Sequence, residues 1–341
     1  ALRLPPEQRE TILTLLGAEH CPTAERFERP WLRRDRIRSL LRIQDGCDQF
    51  CTFCVVPYVR GRNRSQSLEW VVEQVQELES RGFGEVVLSG IHLSTWGSDL
   101  QPRLDLADLM ERLVSATQQI RIRLSSVEPD QFPQRLFALM KKFPGRLCPH
   151  LHLVLQHASD DILRRMHRGY DLEHYQGLVE QFVGQVEGAC LTTDLMVGFP
   201  GESDGDFAQL MGYVRRTPFA KIHVFPYSPR PGTAAAKFAD PVPQAVLQHR
   251  RDLLLRLAQR KNVAFHQASL GQVREALVES QAEMNGWMKA TSDNFLPVLI
   301  RGGPAMRGLR LPVLLQRRWK QSIVGQVSEP ESKGFSRVQL G

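Results

Sequence analysis

The sequence is poor in cysteine, modest in aromatics, and has no long apolar run. Six cysteines in 341 residues, three of them crowded into Cys47–Cys54, do not read as a disulfide framework; the usage suits a reducing compartment. No stretch approaches the ~20 apolar residues that cross a bilayer, and residues 1–30 lack the apolar core of a signal peptide. The expectation is a soluble, cytoplasmic protein with no membrane partner. Aromatic residues at 8% and charged residues at 24% are ordinary for a globular chain, which argues against wholesale disorder. At ~150 residues per domain the length fits about two domains with a full core. Position 1 is Ala rather than Met, which fits a processed or trimmed piece of something longer.

What is present begins with charge. The net charge of +7, with an isoelectric point near 9.3, hints at a polyanionic partner. Arginines crowd residues 26–64, including the run Arg33–Arg42, and residues 269–341 hold ten Lys+Arg against six Asp+Glu. Solvated faces of no special purpose would look the same.

From residue 37 an alternation sets in. Ile37–Gln44 is a strand candidate running into a Cys-rich loop. Leu68, Val71, Val72, Val75 and Leu78 fall at helical spacing behind Ser67, a good N-cap. Strands are expected at 85–88, at Ile120–Leu124 with period two, at 151–155, at Leu191–Val197 and at Lys221–Phe225. Helices between them are marked by Leu106, Leu109 and Leu113, by Phe132–Phe143, after Ser159, after Leu172, and by Phe207–Val214. Six strands separated by helices argue for parallel βα units, as a doubly wound sheet or a (β/α) barrel. Residues 244–268 read as a long helix with Val246, Leu253, Leu254 and Leu257 on one face. After Gly271 short apolar runs at 276–278, 295–300, 311–315 and 322–327 alternate with Gly and Pro turns, the pattern of a small antiparallel barrel.

The strongest chemical signal is Cys47-Asp-Gln-Phe-Cys51-Thr-Phe-Cys54 at the end of the first strand. Thiolates this close in a loop can converge on one inorganic centre. Structural zinc uses similar spacings but needs a fourth ligand, usually from a second short-spaced pair, and none follows: Cys21, Cys148 and Cys190 are isolated. A [4Fe–4S] cluster on three thiolates leaves one iron open, which is a catalytic arrangement.

With Phe53 before the last cysteine, this motif resembles the radical S-adenosylmethionine (SAM) superfamily. The longer run Gln44–Gly61 resembles its methylthiotransferase branch. So do Leu88-Ser-Gly90-Ile-His92, Arg123–Pro129, Cys148–Gln156, Thr193–Glu202 and His223–Thr233, each at the C-terminal end of an expected strand, where βα barrels place their chemistry. The resemblance covers about residues 35–330. It implies a partial (β/α)6 TIM-type barrel over residues 36–269, an RNA-binding TRAM barrel (OB-like) over 270–330, a linker or domain remnant over 1–35, and a tail over 331–341. It implies a [4Fe–4S] cluster on Cys47, Cys51 and Cys54, and SAM contacted by Ser89, Gly90, Glu128, Gln156, Asp194 and Tyr227. Ser89-Gly90 as a plain strand-end turn, and Glu128, Gln156 and Asp194 as hydrogen bonders that cap the core, are the competing readings. His92, His152, His157 and His223 are assigned to structure. Trp319, beside Arg317, Arg318 and Lys320, is either a stacking aromatic or part of the barrel core. Deleting residues 270–341 is expected to weaken RNA binding and leave SAM cleavage.

The implied activity is methylthio transfer to C2 of N6-threonylcarbamoyladenosine at tRNA position 37, through a 5′-deoxyadenosyl radical. The implied partners are the tRNA anticodon loop and a flavodoxin-type electron donor. That branch is chosen on Gly90-Ile-His92, Trp96–Leu100 and His223–Tyr227. The isopentenyladenosine-tRNA branch, the ribosomal-protein branch and a non-catalytic zinc-stabilised RNA binder are the alternatives. Two departures stand out. Family members carry three more cysteines in an N-terminal domain for a second, sulfur-delivering cluster, whereas only Cys21 precedes Cys47 here. They usually carry Ser-Gly after the residue equivalent to Gln156, and this chain has His157-Ala158.

Overall fold

In the computed structural model the described residues are 37–328; Cys21, the arginines at 26–36, the expected N-terminal linker and the 331–341 tail lie outside them. The first strand, β1 (Arg38–Arg42), leads into a short antiparallel pair, β2 (Gln44–Asp45) and β3 (Arg64–Ser65), which brackets the cysteine loop and α1 (Val56–Arg60). Then follow α2 (Leu68–Ser80), β4 (Glu85–Ser89), α3 (Leu106–Ala116), β5 (Arg121–Leu124), β6 (Ser126–Val127), α4 (Arg135–Lys142), β7 (His150–Leu153), α5 (Asp160–Arg165), α6 (Leu172–Gln185), β8 (Cys190–Val197), α7 (Asp204–Arg216), β9 (Phe219–Pro226) and α8 (Gln244–Ala268). The sheets β1-β4-β5 and β6-β7-β8-β9 are parallel throughout. Only Ser125 separates β5 from β6, so together they form one curved wall of six strands. Among the described residues, it is a barrel left unpaired between β1 and β9.

The helices form where local chemistry asks for them. Ser67 Oγ accepts the Trp70 N–H at 3.2 Å and starts α2, which buries Val71, Val72, Val75 and Leu78, each burial contributing roughly 1.5–3 kcal/mol. Asp105 with Asp108, and Ser203 with Asp206, form reciprocal caps on α3 and α7. On α8 the buried stripe is Leu247, Arg250, Leu254 and Ala258. It is turned from the expected Val246–Leu257 face because Arg250 is drawn inward to Glu202 Oε1 at 2.9 Å.

The period-two reading of β5 misses its main feature: all four residues are buried. Arg121 and Arg123 close on Glu85, itself 0% exposed, at 2.6 and 2.8 Å. Burial opposes ionising Glu85, but the two guanidiniums outweigh it and hold its carboxyl well below the usual carboxylate range. The arginines' remaining N–H groups donate to the carbonyls of Glu275, Thr291, Ser292 and Asp293 at 3.0–3.3 Å.

Those carbonyls belong to a second unit, a closed five-stranded barrel of β10 (Val273–Gln281), β11 (Trp287–Ser292), β12 (Pro297–Arg301), β13 (Arg310–Trp319) and β14 (Ser322–Val327). All its pairings are antiparallel except β12 with β14. Its core includes Val278, Met288, Ile300, Val313, Leu315 and Ile323. The sequence reading overlooks β11 because two of its three inward residues, Ala290 and Ser292, are small. Trp319 is 41% exposed, with Arg317 and Lys320 5.6 and 5.9 Å from its ring; it is not a core residue.

Candidate active site

The cysteine loop is tied at its base. Gly46 takes φ +73°, and a Cβ there would lie 1.9 Å from the Arg62 carbonyl oxygen, so only glycine fits. The Cys47 N–H donates to Gly61 O at 3.1 Å, and the Cys54 N–H to Cys51 O at 3.0 Å. All three thiols are half-buried. Backbone N–H groups of Gln49 and Val56 donate to Cys47 and Cys54 sulfur, each at 3.4 Å. Burial pushes the Cys51 thiol up to about 11 and raises Cys54, although Arg168 opposes both shifts.

Among the described residues, the only set of three ligand-type atoms drawn within 4.8 Å of one another is His152, Asp194 and His223. The cysteine sulfurs are spread wider than that. A single zinc ion, with Zn–S near ~2.3 Å, needs them closer, while a cluster that presents a separate iron to each thiolate does not. The donor set fits a [4Fe–4S] group, whose positive irons would relieve the cost of three desolvated thiolates.

Two further residues complete this loop, Arg168, which the sequence reading does not mention, and His92, which it assigns to structure. Arg168, its side chain only 3% exposed, donates to Cys51 Sγ at 3.1 Å, ion-pairs with Glu128 and donates to Tyr170 Oη at 3.2 Å. Glu128 is thus linked to the cysteines through Arg168. His92 lies 3.6 Å from Cys47 Sγ and 3.4 Å from Asp130. Burial opposes its protonation, but its contacts with Asp130 and Cys47 prevail and raise it to about 9. Arg168 and Cys51 stand 117 residues apart, so no local spacing signals the contact.

The other expected site residues fall into separate surroundings. The Ser89 carbonyl accepts the Ile43 N–H at 2.9 Å. A Cβ on Gly90 would meet Gln44 Oε1 at 2.6 Å; the room it leaves is filled by Gln44, which donates to Gly46 O at 2.8 Å and accepts the His92 N–H at 2.9 Å. Gln156 adopts φ +66°, a conformation that costs a side chain roughly 1–2 kcal/mol. It is held there by backbone bonds to Asp194 O and from the Met196 N–H, at 2.9 and 2.8 Å. His157 and Ala158 are fully buried. Burial lowers His157 to about 4, so it is neutral, and its Nδ1 accepts the Ser159 N–H at 3.0 Å. Tyr227 sets its ring edge-on to Phe199 at 5.4 Å, in the aromatic cluster that also receives Phe53. Its hydroxyl is buried without a hydrogen-bond partner among the described residues.

Asp194 faces inward midway along β8. His152 Nε2 is 3.2 Å from its Oδ1, and His152 Nδ1 is 2.9 Å from Thr192 Oγ1. His223 lies opposite on β9. These residues line a cavity of about 530 Å³ inside the six-stranded wall, closed at the strand starts by Phe295, which stacks on His150 at 4.5 Å. The sequence reading left both histidines to structure, because only the parallel register brings them beside Asp194.

Comparison with known proteins agrees with this geometry. Residues 41–214 match the model of the Radical SAM superfamily. The tRNA-2-methylthio-N(6)-dimethylallyladenosine synthase of Pelotomaculum thermopropionicum is 37% identical over 84% of this chain and 64% of its own length. The protein of the same name from Moorella thermoacetica is 35% identical over 92% and 70%. The threonylcarbamoyladenosine tRNA methylthiotransferase MtaB of Thermotoga maritima is 35% identical over 72% and 56%. The chain therefore spans between 56% and 70% of the length of these relatives. A superfamily match across half the chain, with this level of identity over most of a full-length relative, means that the chain belongs to the radical SAM superfamily and, within it, to the methylthiotransferase family.

Proposed function

We propose that this protein takes part in methylthio transfer to C2 of N6-threonylcarbamoyladenosine next to the tRNA anticodon. The observation that carries the reading is the half-buried three-cysteine loop at the mouth of a six-stranded barrel whose interior is polar on its β7–β9 side. Cys47, Cys51 and Cys54 would hold the [4Fe–4S] cluster. With SAM bound, that pair supplies one-electron chemistry that activates an unreactive C–H position.

The chain's own contribution is positioning and exclusion of water. Arg168 places a fixed positive charge and a donor on Cys51 while Glu128 keeps it oriented. Gln44 fixes the loop against Gly90 and His92. The aromatic cluster of Phe53, Phe199, Tyr227 and Phe238 keeps one flank of the loop dry. The β10–β14 barrel, as a TRAM domain, would present Arg317, Arg318, Trp319 and Lys320 to RNA phosphates and bases.

A second reading, action on the dimethylallyl-substituted adenosine, is favoured by the names of the Pelotomaculum and Moorella relatives. Removing the gene separates the two. We expect tRNA from such cells to lose the 2-methylthio derivative of threonylcarbamoyladenosine and keep that of the dimethylallyl nucleoside, as read by nucleoside mass spectrometry. The opposite loss overturns the choice of branch.

A further inference from the structure

The cavity inside the six-stranded wall lies behind the edges of β1 and β9, which are unpaired among the described residues, and its lining is chemically two-sided. Leu40 on β1 and Phe225 on β9, 56% and 48% exposed, form an apolar entrance. Deeper in, β7, β8 and β9 present His152, Asp194, His223 and Lys221. Thr192 Oγ1 engages His152 Nδ1, which turns Nε2 toward Asp194. In the β8–β9 register Asp194 lies opposite His223, and Thr192 opposite Lys221, so Lys221 and His223 share one face of the strand.

The cations of this chamber are not equivalent. Arg38 and Arg123 are ion-paired with Glu85. Lys221 is exposed and, among the described residues, pairs with no carboxylate. Its charge is available to a ligand, within a few residues of two imidazoles and one carboxylate that can satisfy further donors and acceptors.

We infer that this chamber receives the N6 substituent of the target adenosine, and that Lys221, with His223 beside it, binds a carboxylate carried by that substituent. The inference rests on the reading given under Proposed function. A dimethylallyl group would desolvate Lys221, Asp194 and the imidazoles without replacing their water, which a polar site penalises strongly. A threonylcarbamoyl group offers a carboxylate to Lys221, and its hydroxyl and ureido N–H groups to Asp194 and the imidazoles. Leu40 and Phe225 then flank the purine.

The test uses the protein with its cluster loaded and four anticodon stem-loops. They carry, beside the anticodon, threonylcarbamoyladenosine, its carboxylate methyl ester, dimethylallyladenosine or plain adenosine, and the dissociation constant of each is measured by fluorescence anisotropy. The acid should bind about tenfold more tightly than the ester, as expected for one charge-assisted contact. Lys221→Gln should bring the acid-to-ester ratio to about one, and Lys221→Arg should keep it. If acid and ester bind alike while both exceed plain adenosine, the carboxylate assignment falls and the choice of branch stands. If the dimethylallyl loop binds best, the branch falls with it. Equal affinity for all four loops, or no measurable binding, overturns the chamber as the substrate subsite.

Discussion

Arg168 donates to Cys51 Sγ at 3.1 Å from the far side of the loop, and the same guanidinium is ion-paired with Glu128. A positive donor on a cluster-ligating sulfur stabilises the more negative, reduced form, so it raises the reduction potential. Arg168→Gln should keep bound iron but lower the midpoint by on the order of tens of millivolts, as followed by EPR during a redox titration, and Arg168→Lys should recover part of the shift. An unchanged potential in both variants would show that the contact is only structural.

The donor set itself makes a simpler prediction. Anaerobic reconstitution should give about four irons per chain with [4Fe–4S] absorption. Cys51→Ala should abolish the cluster, whereas Cys190→Ala, buried in β8, should leave the iron content intact. Stoichiometric zinc with no iron uptake would sink this account.

Glu85 is the hub of the contact between the two barrels. Replacing it with Gln leaves Arg123 buried without its counter-charge and Arg121 with only Glu275 at 3.5 Å, a loss of roughly 3–5 kcal/mol, visible as a marked fall in the thermal midpoint. The pH dependence follows from its depressed folded-state value. Glu85 contributes fully above the ordinary unfolded carboxylate range near ~4.3, and that contribution drains away as pH falls below it toward the folded value. Glu85→Gln should therefore lose part of the acid sensitivity of stability seen in the parent between about pH 4.5 and 2. Parallel pH–stability curves for the two proteins would exclude Glu85 as the cause.

The C-terminal barrel cannot be removed as cleanly as its sequence implies. Deleting residues 270–341 strips Arg121 and Arg123 of four carbonyl partners and uncovers the strand starts beside His150. The truncated protein should unfold or aggregate instead of retaining SAM cleavage. The RNA role is better tested by Arg317→Ala, Trp319→Ala and Lys320→Ala, all on exposed positions. Each charge removed should weaken tRNA binding and reduce the salt slope by about one. A folded, SAM-cleaving truncation would show that the buried ion cluster does not need its barrel partners.

The sequence by itself determined the order of most of the elements and the gathering of three cysteines into one loop. Both are written locally: the helical spacing of Val71, Val75 and Leu78, the cap at Ser67, and three cysteines within one loop are each complete within a few residues. The strand β11 escaped because two of its three inward residues, Ala290 and Ser292, are too small to leave a hydrophobic period. What only the tertiary structure decided are relationships set by strand register and by packing between distant segments. These include Arg168 on Cys51, Gln44 in the space beside Gly90, Arg121 and Arg123 turned onto Glu85, and His223 placed opposite Asp194 with Lys221 opposite Thr192. All but the last depend on burying a polar group where a distant partner satisfies it, and the last is set by strand register. The free energy of such a pairing belongs to both segments at once, so neither segment's sequence carries the signal alone.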